Sequence, residues 1–264
     1  MPFPDAHNHL QDPQLASRLD TLAAQAPAAG VERVVVNGTS EHDWPRVAEL
    51  ARRWPHWVIP AFGLHPWHSG TQSAHWLETL RTYLEAFPCA PVGEIGLDHS
   101  THRKANAPMQ EEALAAQLVL ARELARPVVL HCVKASGALE TALRGHPLPR
   151  GFLMHGYSGS AEQMKVFASL GGWFSCSGQI FDERQAARRA VFQAVPLERL
   201  LVETDAPNMA WPEECRADTP TGDNTLNLPR IYAAVAHLRE MPADLFSQKI
   251  AENFARFFQT EAGR

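Results

Sequence analysis

Short apolar runs, most of them rich in β-branched residues, alternate with longer amphipathic stretches from one end of the chain to the other. The runs span 3–9, 31–36, 57–62, 91–95, 127–130, 151–154, 172–175 and 200–203. Near-continuous apolarity of this kind suits parallel strands covered on both faces. Between them lie helical patterns, such as 109–124, rich in Ala, Leu, Glu and Gln, and 161–170. This alternation predicts an α/β chain, a TIM-type (β/α)8 barrel, and 264 residues is an ordinary length for one. A final stretch, 242–258, places Phe246, Ile250, Phe254 and Phe257 on one stripe and predicts an extra C-terminal helix. No repeat, low-complexity segment or linker interrupts the pattern, so residues 1–264 read as a single domain. A doubly wound open sheet is the alternative. It would usually carry a Gly-rich phosphate loop after its first strand, where this chain has His7-Asn8-His9.

Composition narrows the function classes. No uninterrupted apolar run approaches the roughly 18 residues of a membrane span. The N-terminus lacks a basic region followed by an apolar one, so a cytoplasmic location is expected. Cys89, Cys132, Cys176 and Cys215 lack CxxC spacing, which predicts neither a disulfide nor a zinc knuckle. A net charge of −5 argues against a broad basic face tracking a phosphate backbone. A nucleic-acid substrate would need local cations, which bound metals could supply. The oligomeric state has no sequence signal.

Chemistry concentrates at the ends of the apolar runs. His7 and His9 are two positions apart, so on a strand they share a face and can grip one cation. Asp5 would lie on that face, one step deeper, as an orienting partner for a histidine. Glu94 ends an apolar run between Gly93 and Gly96, and His131 and His155 each directly follow one. Glu203 and Asp205 close the last. Buried carboxylates and imidazoles are costly unless paired or metal-bound, and in a TIM barrel the strand ends converge on one mouth. One zinc with an open position needs about three protein ligands. His7, His9, Glu94, His131, His155 and Asp205 exceed that and predict two divalent cations, with Glu94 the candidate bridge.

The runs Asp5-Ala6-His7-Asn8-His9, Gly63-Leu64-His65-Pro66, Gly93-Glu94-Ile95-Gly96-Leu97-Asp98, Leu130-His131, His155-Gly156-Tyr157-Ser158-Gly159-Ser160 and Glu203-Thr204-Asp205-Ala206-Pro207 occur in this order, with Ala251-Glu252-Asn253-Phe254 near the end. Together they resemble the TatD family, metal-dependent deoxyribonucleases of the amidohydrolase superfamily. The resemblance implies one metal on His7, His9 and Asp205, a second on His131 and His155, and Glu94 bridging. It also implies that Asp205 takes a proton from the attacking water and that His65 contacts the substrate or leaving group. The metals would be Zn, Mn, Mg or Ni. The implied activity is 3′–5′ exonucleolytic hydrolysis of DNA or another phosphoester.

Three positions depart from the family pattern. Val133, followed by Lys134, stands where an Arg is frequent; His99 replaces an aromatic residue, and Gly156 a cysteine. These touch the parts that would grip a phosphate, so hydrolysis of a small-molecule amide, ester or lactone is the second reading. A non-catalytic metal-binding scaffold is the third. His99 and His102 are expected in a solvated loop, Arg52, Arg53, Arg188 and Arg189 on solvated helix faces, and most tryptophans in packing. Trp67, directly after His65-Pro66, is the exception to watch.

Overall fold

The computed structural model describes residues 1–103, 106–209 and 225–259. Its strands are β1 (Asp5–Asn8), β2 (Val34–Asn37), β3 (Val58–Ala61), β4 (Val92–Asp98), β5 (Val128–Val133), β6 (Phe152–Met154), β7 (Gly172–Cys176) and β8 (Leu200–Val202). The helices are α1 (Leu19–Gln25), α2 (Trp44–Arg53), α3 (Trp76–Ala86), α4 (Ala107–Glu123), α5 (Ser136–Gly145), α6 (Ala161–Ser169), α7 (Ala186–Ala194), α8 (Leu228–Leu238) and α9 (Ala243–Phe258).

All strand pairs are parallel, in the runs β1-β2-β3 and β4-β5-β6-β7-β8. Two seams join these runs into the expected (β/α)8 barrel. Phe62 bridges to Val92, with Gly93 N–H donating to the Phe62 carbonyl at 2.9 Å. Across the other seam, Asp205 N–H donates to the His7 carbonyl at 3.0 Å and His9 N–H to that of Ala206 at 2.8 Å.

Strand alternation divides the core. Val34, Val36, Val128, Leu130, Phe152 and Met154 pack outward beneath the helices. Their neighbours Val35, Val129 and Leu153 meet Leu201 and Trp173 inside the barrel. The predicted terminal helix is present as α9, but its stripe serves two layers. Phe246 and Ile250 join the outer core, whereas Phe254, Phe257 and Phe258 enter the interior cluster, with Phe257 5.3 Å from Trp173. They plug the floor and leave the opposite end, where the strands terminate, as the open mouth.

The expected thiols hold for Cys89, Cys132 and Cys176, which are free; Cys215 lies outside the described residues. Arg189 is half-buried rather than solvated, because its guanidinium caps the carbonyls of Ile180 and Asp182 at 3.3 and 2.8 Å. Among the described residues no helix is long and apolar enough to cross a membrane.

Candidate metal centre

Simple alternation would not assemble this site. Ala6 packs into the barrel interior, so strict period two would turn His7 outward. The pairing of β1 with β2 slips by one residue, however: Asp5 faces Val34 and Asn8 faces Val36. That bulge re-aims the strand end and brings the Nε2 atoms of His7 and His9 to 3.1 Å. A like slip occurs in β4, where Val92 faces Val128 and Ile95 faces Leu130. Gly93 abuts the interior, where a Cβ would lie 2.7 Å from Val129 Cβ. Ile95 already points to the outer core, and the extra residue, Glu94, turns into the mouth. Gly96 then lies so close to β5 that a Cβ would meet the His131 carbonyl oxygen at 2.0 Å, and its φ of +144° favours glycine as well.

The bulge also corrects the expectation for Asp5. Its carboxylate does not reach an imidazole. It accepts from Thr204 N–H at 2.9 Å, Thr204 Oγ1 at 2.5 Å, Asn8 Nδ2 at 3.1 Å and the backbone N–H of His7 at 3.3 Å. Asp5 thereby ties β1 to the end of β8, and burial pushes its pKa up to about 7 despite those four hydrogen bonds.

His7, His9, His65, Glu94, His131, His155 and Asp205 converge. Glu94 Oε2 lies 3.3 Å from His7 Nε2 and 3.4 Å from His9 Nε2, and Asp205 Oδ1 lies 3.6 and 3.5 Å from the same two nitrogens. Tetrahedral donors about 2.0–2.2 Å from a divalent cation would be about 3.3–3.6 Å apart, so His7, His9 and Glu94 group closely enough to hold one ion, with Asp205 beside both imidazoles. The other oxygen of Glu94, Oε1, lies 2.9 Å from His131 Nδ1 and 2.8 Å from His155 Nε2, with those two nitrogens 3.4 Å apart. One carboxylate therefore faces two sets of donors.

For His9 a hydrogen bond on the far side of the ring aims the near side, and His155 and His131 have carboxylates close behind them. His9 Nδ1 donates to the Asn37 carbonyl at 2.9 Å, which leaves its Nε2 lone pair directed at the cluster. His155 Nδ1 lies 3.5 Å from Glu203 Oε1, and Glu203 is itself held by Gly156 N–H at 2.6 Å and Ser175 Oγ at 2.5 Å. His131 Nε2 lies 3.7 Å from Asp98 Oδ2. Carboxylates behind metal-binding imidazoles are a recurrent arrangement. The sequence reasoning gave Glu203 and Asp98 no role, although both stand inside the runs that carry the family resemblance.

His65 differs. Its Nδ1 accepts the Trp67 N–H at 3.2 Å, so in the neutral ring Nε2 carries the proton, 3.4 Å from Glu94 Oε1. A protonated nitrogen cannot ligate, which fits a donor to substrate better than a metal ligand.

Electrostatics match this division. Burial would raise Glu94, but the charges of His155, His65 and His7 hold it well below the usual carboxylate range. Burial likewise opposes ionisation of Asp205, and the His9 hydrogen bond and His7 charge outweigh it. Burial would lower His9, yet hydrogen bonds to Asp205 and Glu94 raise it to about 10; His155 is raised by Glu94 and Glu203 against the same penalty. For His65 burial wins and the pKa falls to about 4. Cations would bind here in exchange for ring protons.

The cluster opens into a cavity of about 450 Å³ that Trp67 also lines. His99 and His102 do not line it, and His102 is exposed. Lys134 faces a neighbouring cavity of about 300 Å³, with Ser136, Ser160 and the flank of His155.

A family model described as TatD related DNase matches residues 4–259. The chain is 33% identical over 258 residues to a metal-dependent hydrolase of Escherichia coli K12, YjjV, covering 97% of each chain. It is 31% identical over 254 residues to a 3′-5′ ssDNA/RNA exonuclease TatD of Pantoea sp. At-9b, covering 95% of this chain and 97% of that one. The crystal structure of the E. coli YjjV protein, a TatD homologue, superposes with a TM-score of 0.88 at 32% identity over 98% of each chain.

Proposed function

The chain belongs to the family of TatD-related DNases, and from that premise we propose that it is a metal-dependent 3′–5′ exonuclease hydrolysing DNA phosphodiester bonds. The observation that carries the proposal is Glu94, one carboxylate set between two groups of imidazoles. In this reading His7, His9 and Asp205 would hold one divalent cation and His131 and His155 the other, with Glu94 shared between them; a His-rich set of this kind accepts Zn, Mn, Ni or Mg to different extents. Bound there, the ions supply Lewis acidity, neutralising phosphate charge and lowering the pKa of water. Such ions would also provide the positive charge that a chain of net charge −5 does not offer as a broad surface.

The chain's own groups divide the remaining work. Asp205, ionised at neutral pH, accepts the proton of the attacking water. His65 presents an N–H at Nε2 and donates to the substrate or to the departing oxygen. The 450 Å³ cavity is of a size that admits a nucleotide-sized ligand.

The test joins metal content to product analysis. Protein reconstituted with Zn or Mn should hold about two ions per chain, release mononucleotides from the 3′ end of single-stranded DNA, and lose that activity on chelation. A reproducible stoichiometry of one would overturn the two-ion assignment. Turnover of lactones, esters or amides with DNA left intact would move the function to small-molecule hydrolysis.

A further inference from the structure

Trp67 is half exposed at 50%, and among the described residues the other tryptophans are buried or partly buried. It does not project freely. Its indole Nε1 donates to Asp98 Oδ2 at 2.6 Å and its backbone N–H to His65 Nδ1 at 3.2 Å. The ring stands edge-on to His65 and to His131, with centroids 5.0 and 6.2 Å apart. The Arg103 guanidinium lies over the ring, 5.0 Å from its centroid. Trp67 follows Pro66, whose ring restricts the backbone of the short turn Pro66–His68. The result is a planar apolar surface of fixed orientation, in the wall of the cavity that also exposes Glu94, His131 and Asp205.

An exposed indole costs hydration, and three polar contacts hold this one at the mouth. We propose that Trp67 is a stacking platform for the nucleobase of the 3′-terminal nucleotide, whose 5′ phosphodiester then lies over the Glu94 cluster. The proposal rests on the exonuclease reading and deepens it. Aromatic rings accept any base, because every base has a π-face, and they require the base to be unstacked from its neighbours. A fixed ring also pays less ordering entropy on binding than a mobile one. Arg103 places a positive charge over one face of the ring, which leaves the opposite face to the base. The platform therefore selects single-stranded or frayed ends without selecting sequence. Asp98, the residue that holds the indole, also faces His131 Nε2 at 3.7 Å.

The experiment compares two single-stranded oligonucleotides with the metal-reconstituted full chain. They are identical except that one ends in a nucleoside and the other in an abasic tetrahydrofuran residue. The wild type should favour the base-bearing end in kcat/KM by on the order of tenfold. Trp67→Ala should bring that ratio close to one. Trp67→Phe should keep most of it, since phenylalanine preserves a ring while losing the bond to Asp98. In chelated protein, a phosphorothioate-ended oligonucleotide should quench tryptophan fluorescence in the wild type and much less in Trp67→Ala. A Trp67→Ala ratio equal to the wild-type one, or a wild type indifferent to the terminal base, overturns the platform alone. A wild type that cleaves neither oligonucleotide overturns the exonuclease reading and the platform with it.

Discussion

Replacing Asp205 by asparagine separates chemistry from architecture at this site. Asp205 has φ +53°, a left-handed conformation that most side chains resist. Asparagine adopts it nearly as readily as aspartate, so the backbone hydrogen bond from Asp205 N–H to the His7 carbonyl should survive. The amide is the size of the carboxylate and keeps one oxygen, which can take the place of Oδ1 3.5 Å from His9 Nε2. The loss is confined to negative charge and a basic lone pair. Loss of a general base lowers turnover by roughly 10²–10⁴, and that is the fall expected for Asp205→Asn on single-stranded DNA. Metal content should remain near the wild-type value, because His7, His9 and Glu94 still offer three donors to that ion. The sign of the pH response follows from the depressed pKa. Asp205 is ionised above the ordinary carboxylate range, and its function as base is lost only as pH falls through a folded pKa below that of an ordinary aspartate. Wild-type activity should therefore show no inflection from this group near neutrality. Turnover and elemental analysis on the same preparation decide the matter. Near-normal turnover of Asp205→Asn with both ions bound would remove Asp205 as the base.

Two further substitutions probe the remaining assignments. His65→Ala should leave metal content unchanged while lowering turnover, whereas His131→Ala should deplete one ion. Equal metal loss in both would show that His65 is itself a ligand, contrary to the tautomer its bond from Trp67 imposes. Glu203→Gln removes the charge behind His155 yet keeps the shape that Ser175 and Gly156 grip. It should weaken metal affinity or activity by about 10–100-fold, measured by competition with a chelator, and an unchanged affinity would mean that Glu203 serves only packing.

The barrel was legible because its pattern is a property of each strand taken singly. Val34 and Val36 outward with Val35 inward is what period two with both faces covered demands. The limits of the strands were less legible, for local reasons. β4 continues past Glu94 to Asp98 and β5 past Leu130 to Val133, since Gly96 pairs with His131 and Asp98 with Val133. Gly96 and Asp98 carry no strand propensity, so apolar runs ended the prediction early. At 31–36 the error runs the other way: Val31 N–H bonds back to the Ala26 carbonyl, closing the turn after α1, and the strand begins only at Val34. The terminal stripe was visible too. Its division between outer core and barrel floor depends on where α9 docks, which periodicity does not contain.

For the site, residue types at strand ends were enough to collect the donors and not enough to aim them. Uniform alternation from Ala6 would turn His7 away from the mouth, and from Gly93 it would place Ile95, not Glu94, in the interior. Each strand avoids this with one extra residue, and a bulge has no signature in an apolar pattern. Gly93 was the available clue, because a side chain there would collide with Val129, but the collision is with a residue far away in the chain. Asp5 shows the same limit. Judged by spacing it belonged with His7 and His9, yet it lies ahead of the slip and turns to Thr204. There its carboxylate secures the seam between β1 and β8, and that seam carries both His7 and Asp205. The two bulges act on different neighbours: one brings Glu94 into the donor cluster, and the other brings His7 in while Asp5, ahead of the slip, stays out. A single unpaired residue per strand thus decides which side chains join the donor cluster.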